Sequence, residues 1–299
     1  MSWAFARRVC LATGATLLML LAVEGLLVLA GLPDQGLYVG DRVTDWRLRG
    51  HLEERVVHEA TGESFSLSTS SRGFRDEEWG SEGPGIVALG CSTTFGWGVE
   101  ASEAWPSHLE RLLGRPVLNA AIPGQSTHQG MKVALELLEE KPDGLVLGWI
   151  VRDAQRAARA DKEAKAPSGL RNTRLFRLVR GKLSNSSIPV LETSPHRVDP
   201  EDYSQNLRVI LDKAKANEVP VILLAFPSQD PSPGHLSVLR ELGAFLVEPR
   251  LPVSAFFPED PVHLNSTGHQ QLADIVFSSV QAEWFADPVS EEDGSTRPE

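Results

Sequence analysis

Three residue types in this chain have the chemistry and the placement of an acyl-transfer site. Ile86 to Val99 reads IVALGCSTTFGWGV, an apolar run suited to a buried strand, followed by a glycine turn that carries Ser92 to the strand's carboxyl end. Ligands of open α/β sheets bind at that edge. Much later, Asp260-Pro-Val-His263 places a carboxylate and an imidazole three residues apart on one turn, just ahead of a helix that begins near Asn265. A serine nucleophile, a histidine that takes its proton and an aspartate that holds the imidazole's other nitrogen are the parts of such a site. Each part alone has a plainer reading: a serine at a helix start is commonly a cap, and Asp260 and His263 could simply cap the helix that follows.

An acyl-transfer site also needs donors fixed where negative charge develops, each worth about 10²- to 10³-fold in rate. Gly124 lies in LNAAIPGQS (118–126), after a strand at Val117 to Ala120, and lacks a side chain that would keep its N–H from Ser92. The Ser92 amide is the second donor. LVLGWIVRDA (145–154) ends in Arg152-Asp153. Arg152 carries five donors and a charge, which leaves three uses open: an oxyanion donor, a binder of an anionic substrate group, or a side chain directed away. Cys91 is an alternative nucleophile, but strand alternation sends it into packing when Ser92 faces the cleft. Ser126 and His128, at a helix start, read as a cap and a surface residue. The chain has no HExxH, no CxxC and no histidine cluster at ligand spacing, so neither metal nor cofactor is expected.

The elements that must position these residues follow from alternation along the chain. Strands are expected at Ile86 to Leu89, Val117 to Ala120, Leu145 to Ile150, Val219 to Phe226 and Ala244 to Val247. Helices are expected at Ala104 to Leu113, Gln129 to Glu140, Asp199 to Ala216, Leu236 to Leu242 and Ser266 to Trp284. Strand and helix in alternation imply a parallel sheet with helices on both faces. Before it, residues 33–84 are polar, and ERVVHEA and SFSLSTS suggest two or three strands of a β-rich lead-in. The main domain then spans 85–286, interrupted at about 155–200 by a polar, basic, partly helical insertion, and 287–299 is an acidic tail too poor in apolar surface to fold.

Val9 to Gly31 is almost wholly apolar and long enough to cross a hydrocarbon core of about 30 Å. Arg7 and Arg8 precede it, so the N-terminus stays in the cytoplasm and the rest is exported. Length favours a retained anchor over residues 1–32, with Glu24 as its one charged defect; a signal peptide cut near Val28-Leu29-Ala30 is the competing reading. The net charge of −11 argues against nucleic acid as a partner, which is bound through clustered Lys and Arg. With 41% hydrophobic residues, the 299-residue chain can build one sizeable core. Cys10 and Cys91, its two cysteines, do not form a disulfide framework, and the sequons at Asn185 and Asn265 read as chance because a sugar on Asn265 would crowd His263.

The Ser92 block, LNAAIPGQS, LVLGWIVRDA and Asp260-x-x-His263, in this order, resemble the SGNH (GDSL-like) hydrolase family. SRGFRDEE (71–78), Glu103-Ala-Trp-Pro and RVDPEDYSQNLRVIL are similar to features of its membrane-anchored bacterial members, and the resemblance covers residues 64–284. It implies a three-layer α/β/α flavodoxin-like fold and a serine ester hydrolase or O-acyltransferase. Ser92, His263 and Asp260 are then catalytic, the Ser92 and Gly124 amides hold the oxyanion, and Asn119 and Asp153 hold turns. The family takes a third oxyanion donor from an Asn-Asp pair, where this chain has Arg152-Asp153, and it has aspartate where this chain has Cys91. The resulting expectation is an exported, membrane-tethered esterase or transferase acting on a short acyl ester, with an envelope glycan suited to the compartment. A noncatalytic envelope-binding or assembly module is the alternative that Arg152 and Cys91 motivate.

Overall fold

The chain is described from a computed structural model that covers residues 3–30, 32, 36–75, 85–163, 173–183, 189–227 and 232–285. The acidic tail at 287–299 and the sequon at Asn185 lie outside the described residues. The first element, α1 (Trp3–Leu29), is exposed and, apart from Arg7, Arg8 and Glu24, largely apolar, and it is the one helix among the described residues long and apolar enough to cross a membrane.

Two antiparallel hairpins follow, β1 (Tyr38–Asp41) with β2 (Asp45–Leu48) and β3 (Glu53–Val57) with β4 (Ser64–Ser68). The lead-in therefore has four strands, where two or three were expected. The first pair was illegible because Tyr-Val-Gly-Asp is too short to show a period. Its turn is built instead by Asp41, whose Oδ1 accepts the Val43 and Thr44 amides at 2.9 and 2.7 Å. Leu48, Leu52, Phe65, Leu67 and Phe74 of this region join the same buried core as the central sheet.

That sheet contains β5 (Ile86–Gly90), β6 (Val117–Asn119), β7 (Gly144–Gly148), β8 (Val221–Leu224) and β9 (Phe245–Val247), all parallel, in the order β6-β5-β7-β8-β9. β5 and β7 are buried throughout, as near-continuous apolar runs with helices on both faces require. The helices between are α2 (Ser92–Phe95), α3 (Trp105–Leu113), α4 (Thr127–Leu138), α5 (Ile150–Ala154), α6 (Arg174–Leu183), α7 (Pro200–Ala216) and α8 (Pro233–Glu241). The short pair β10 (Phe256–Phe257) and β11 (Asp260–Leu264) leads into α9 (Ser266–Trp284). α3 packs on α9, while α4 packs on α7 and α7 on α8, which gives the expected α/β/α layering.

Most element ends shift by one to three residues, α4 to Thr127–Leu138 and α8 to Pro233–Glu241 among them, and three differences bear on the site. β7 ends at Gly148 and Ile150 already opens α5, because the unbroken apolar run LVLGWI hides where extension stops. The strand expected over 219–226 is paired only across Val221–Leu224. Asp260 to His263 is a strand in an antiparallel pair, and not a turn.

The strand order locates the cleft. After β5 the chain moves to β6 on one side, then crosses to β7 on the other, so the connections leaving β5 and β7 part and open a crevice at their carboxyl ends. Ser92 follows β5, and Arg152 follows β7. Close packing at this end depends on Gly130 of α4, where an added Cβ would lie 2.2 Å from Cζ2 of the buried Trp149 ring. Alanine there gains about 1 kcal/mol in helix propensity, but overpacking a rigid indole costs more. Gly130→Ala is expected to destabilise the fold by about 1–2 kcal/mol, read as a lower urea midpoint at unchanged slope.

Candidate active site

Ser92 is fixed by the turn that ends β5. Cys91 takes extended backbone as the cap of α2, and Gly96 at φ 82° closes the helix with its N–H on the Ser92 carbonyl. The Cys91 side chain is buried with its Sγ 3.1 Å from Thr93 Oγ1, on the packing side, as strand alternation required. Asn119, at the end of β6, donates to the Phe95 carbonyl at 3.2 Å and so holds the far end of α2. Arg75 reaches the same loop from the lead-in, donating to the Phe95, Gly96 and Val99 carbonyls. That support had no signal in the spacing of the motifs.

Ser92, His263 and Asp260 lie in one line. His263 Nε2 is 2.8 Å from Ser92 Oγ, and His263 Nδ1 is 2.6 Å from Asp260 Oδ2. Asp260 Oδ1 accepts the amides of Val262 and His263, at 3.0 and 3.3 Å. Burial by itself would raise the Asp260 carboxyl, but the hydrogen bonds from His263 and these amides, with the His263 charge, hold it well below the usual carboxylate range. It is therefore an anion suited to orienting an imidazole. Asn265 caps α9 through Oδ1 and ties Nδ2 to the Ser254 and Phe256 carbonyls, so its amide nitrogen is already engaged.

A second imidazole meets the same carboxylate. His58, just after β3, places Nε2 3.0 Å from Asp260 Oδ2 across 202 residues of sequence. The sequence reading saw only a strand in ERVVHEA, and no local pattern marks this histidine. His58, Asp260 and His263 each present one ligand atom, all within 4.8 Å of one another, which is enough to hold a metal ion. The hydrogen bonds engage those same atoms, because both imidazole nitrogens face one carboxylate oxygen.

On the opposite side, Gly124 has φ 86°, and Arg152 Nε donates to its carbonyl at 3.0 Å while Nη1 bonds Gln155 Oε1. Trp46 of β2 covers the same glycine: a Cβ there would lie 3.1 Å from Cη2. Gln125 Nε2 donates to the Trp46 carbonyl at 2.7 Å, so the first hairpin is bound to this loop. Ser126 caps α4, and its Oγ also lies 2.7 Å from Asp161 Oδ2 of the insertion. His128 is half-buried, between the surface position expected for it and the core.

No family model matches the sequence, and no curated protein sequence does. Among solved structures, the chain is similar to a psychrotrophic esterase from Pseudoalteromonas sp. at 15% identity and TM-score 0.43, covering 68% of this chain and 99% of that one. It is similar to an acetyl-xylooligosaccharide esterase from Geobacillus stearmophilus at 18% identity and TM-score 0.43, covering 69% and 98%. A GDSL-like lipase from Bacteroides thetaiotaomicron matches at 13% identity and TM-score 0.41, covering 66% and 88%. Values this low do not carry chemistry from those proteins to this one.

Asp153 is fully buried beside the site, where it accepts the Thr127 amide at 3.0 Å and the Thr127 hydroxyl. Burial raises its carboxyl to about 8, outweighing the Thr127 hydrogen bonds that lower it. Between 3.8, its ordinary value, and about 8 the folded protein therefore holds a proton that the unfolded chain has lost. The contribution of Asp153 to stability falls as pH rises through that window. Asp153→Asn is expected to lose less stability than the parent between about pH 5 and about pH 8. Superimposable curves of melting temperature against pH would contradict the raised carboxyl.

Proposed function

We propose that this chain is a serine ester hydrolase or acyltransferase whose catalytic residues are Ser92, His263 and Asp260. The observation that carries the reading is the continuous alignment of Ser92 Oγ, His263 Nε2, His263 Nδ1 and Asp260 Oδ2, with contacts of 2.8 and 2.6 Å. Ser92 Oγ attacks the acyl carbon while His263 Nε2 takes its proton, and Asp260 stabilises the imidazolium that forms. His263 then returns the proton to the departing alkoxide, leaving an acyl-serine that water or a hydroxyl acceptor resolves by the same steps in reverse. The Ser92 and Gly124 amides are the oxyanion donors. Arg152 supports the second of these by holding the Gly124 carbonyl, which is a positioning use of the residue. A Ser92 hydroxyl remote from His263 would favour the noncatalytic alternative, and the 2.8 Å contact speaks against it.

The substrate we infer is an acetyl or other short acyl ester, and Trp46 lies against Gly124 beside the proposed oxyanion donor. The anchoring we infer rests on Glu24, the charged residue within the apolar helix. Its carboxylate accepts the amides of Arg174 and Leu175 at 2.7 and 2.9 Å, capping α6. Cleavage near Ala30 would remove that cap, so the contact favours a retained anchor. With Arg7 and Arg8 on the cytoplasmic side, the site faces outward, where an envelope glycan is within reach.

The full chain in detergent is expected to release p-nitrophenol from p-nitrophenyl acetate and to be labelled by a fluorophosphonate at Ser92. Ser92→Ala and His263→Ala should each lower turnover by at least about 10³-fold. Equal rates in all three proteins, with no labelling, would overturn the reading. An oligosaccharide acceptor that diverts product from free acid to acylated sugar would identify transfer.

A further inference from the structure

We propose that His58 is a positioning residue of this site: by donating Nε2–H to Asp260 Oδ2, it fixes the carboxylate that in turn orients His263. The proposal rests on the esterase reading for its kinetic consequences and on hydrogen-bond geometry for its physical content.

Accounting for each acceptor makes the case. A carboxylate offers about four lone-pair directions on its two oxygens. Asp260 Oδ1 takes the Val262 and His263 amides, and Oδ2 takes His263 Nδ1 at 2.6 Å and His58 Nε2 at 3.0 Å. The two amides come from the residues that follow Asp260 in its own strand and hold Oδ1. Without His58, Oδ2 would be held by His263 alone, the very group it is meant to orient. His58 supplies the independent restraint.

The histidine is itself fixed in ring orientation and tautomer. A ring nitrogen that faces a carboxylate carries the proton, which makes Nδ1 of the neutral ring an acceptor. Nδ1 lies 3.0 Å from Thr61 Oγ1, and that hydroxyl in turn accepts the Glu63 amide at 3.2 Å. Thr61 therefore donates to His58, and the proton arrangement is consistent from Glu63 through to Asp260. The backbone of this turn is closed by the His58 amide on the Glu63 carbonyl at 2.7 Å and by the Gly62 amide on the His58 carbonyl at 2.8 Å.

Packing closes the remaining freedom. The His58 ring lies against Phe257 with centroids 4.9 Å apart, and Gly98 at φ 96° lets the chain pass so close that a Cβ would sit 3.2 Å from His58 Cδ2. The imidazole is 3% exposed, so water is excluded from that flank of Asp260 and the hydrogen bond acts in a low-dielectric setting. Support of this kind, behind the carboxylate, is what keeps a catalytic hydrogen bond within the narrow geometry that rate requires. The inference also makes the β3–β4 hairpin a working part of the site, since no residue of the central sheet offers Asp260 this donor among the described contacts.

The test compares full-length protein, His58→Phe and His58→Gln in detergent. Phenylalanine keeps a ring against Phe257 without the donor, while glutamine restores an N–H near the Nε2 position. With p-nitrophenyl acetate, His58→Phe is expected to lower kcat about tenfold with KM unchanged and to slow fluorophosphonate labelling alike, and His58→Gln to recover to within about threefold. In proton NMR spectra, the downfield resonance of His263 Nδ1–H should move in the phenylalanine variant and return in the glutamine variant. Unchanged kcat in His58→Phe, or equal losses in both variants, would overturn the proposal. Loss of parent activity on chelation, restored by zinc, would also overturn it by making the cluster a metal site. If the parent neither hydrolyses esters nor reacts with the probe, the esterase reading fails, and the resonance alone decides: moved in one variant and returned in the other supports His58, unmoved in both refutes it.

Discussion

The Asp260 carboxylate is the group around which this end of the molecule is arranged. A partly buried anion is tolerated only where donors replace the water it has lost, and here four N–H groups from two segments converge on its two oxygens. Meeting that demand fixes several elements at once. β11 must pair with β10 so that the Val262 and His263 amides turn toward Oδ1, and Asn265 must hold the Ser254 and Phe256 carbonyls so that His263 leaves the strand at the right angle. The β3–β4 turn must close against Phe257 so that His58 arrives from the other flank.

The Ser92 side is arranged by the same rule, applied to carbonyls. Beyond the short helix after β5, Arg75 donates to the Phe95, Gly96 and Val99 carbonyls, the Gly96 carbonyl also accepting the Val99 amide, while Asn119 shares Phe95. Arg75 also stacks on the Phe95 ring, its Cζ 4.5 Å from the centroid. Charge-assisted bonds of this kind are strong where the guanidinium is buried, so the loop that presents Ser92 is held as firmly as the sheet edge beneath it. Arg152 does comparable work on the other wall through the Gly124 carbonyl. In both places arginine, with its several fixed donors, joins a loop to the core.

These supports come largely from residues 36–75, the stretch that reads as a polar lead-in. Trp46, His58 and Arg75 each touch the crevice walls or the carboxylate, and Leu48, Phe65 and Leu67 are buried in the common core. The hairpins thus supply what an open sheet lacks at its carboxyl edge, namely a cover that excludes water from one side of the site. Stronger electrostatics inside the crevice follow from that cover.

The sequence by itself determined the parallel α/β core, the long apolar helix and the pairing of Asp260 with His263. Each of these is written over short distances: apolar runs at β5 and β7 bury both faces, α7 opens on Asp199-Pro200, and three residues separate the carboxylate from its imidazole. Its placement of Ser92 at the edge of β5 followed from the same local grammar of strand and glycine turn. Tertiary structure alone decided that Ser92 Oγ stands 2.8 Å from His263 Nε2, 171 residues away, that Arg152 grips Gly124, and that His58 shares Asp260. No period or motif encodes those meetings, because a hydrogen bond between distant segments depends on where the whole chain places two atoms. The residues that make it carry no mark of it in their neighbours.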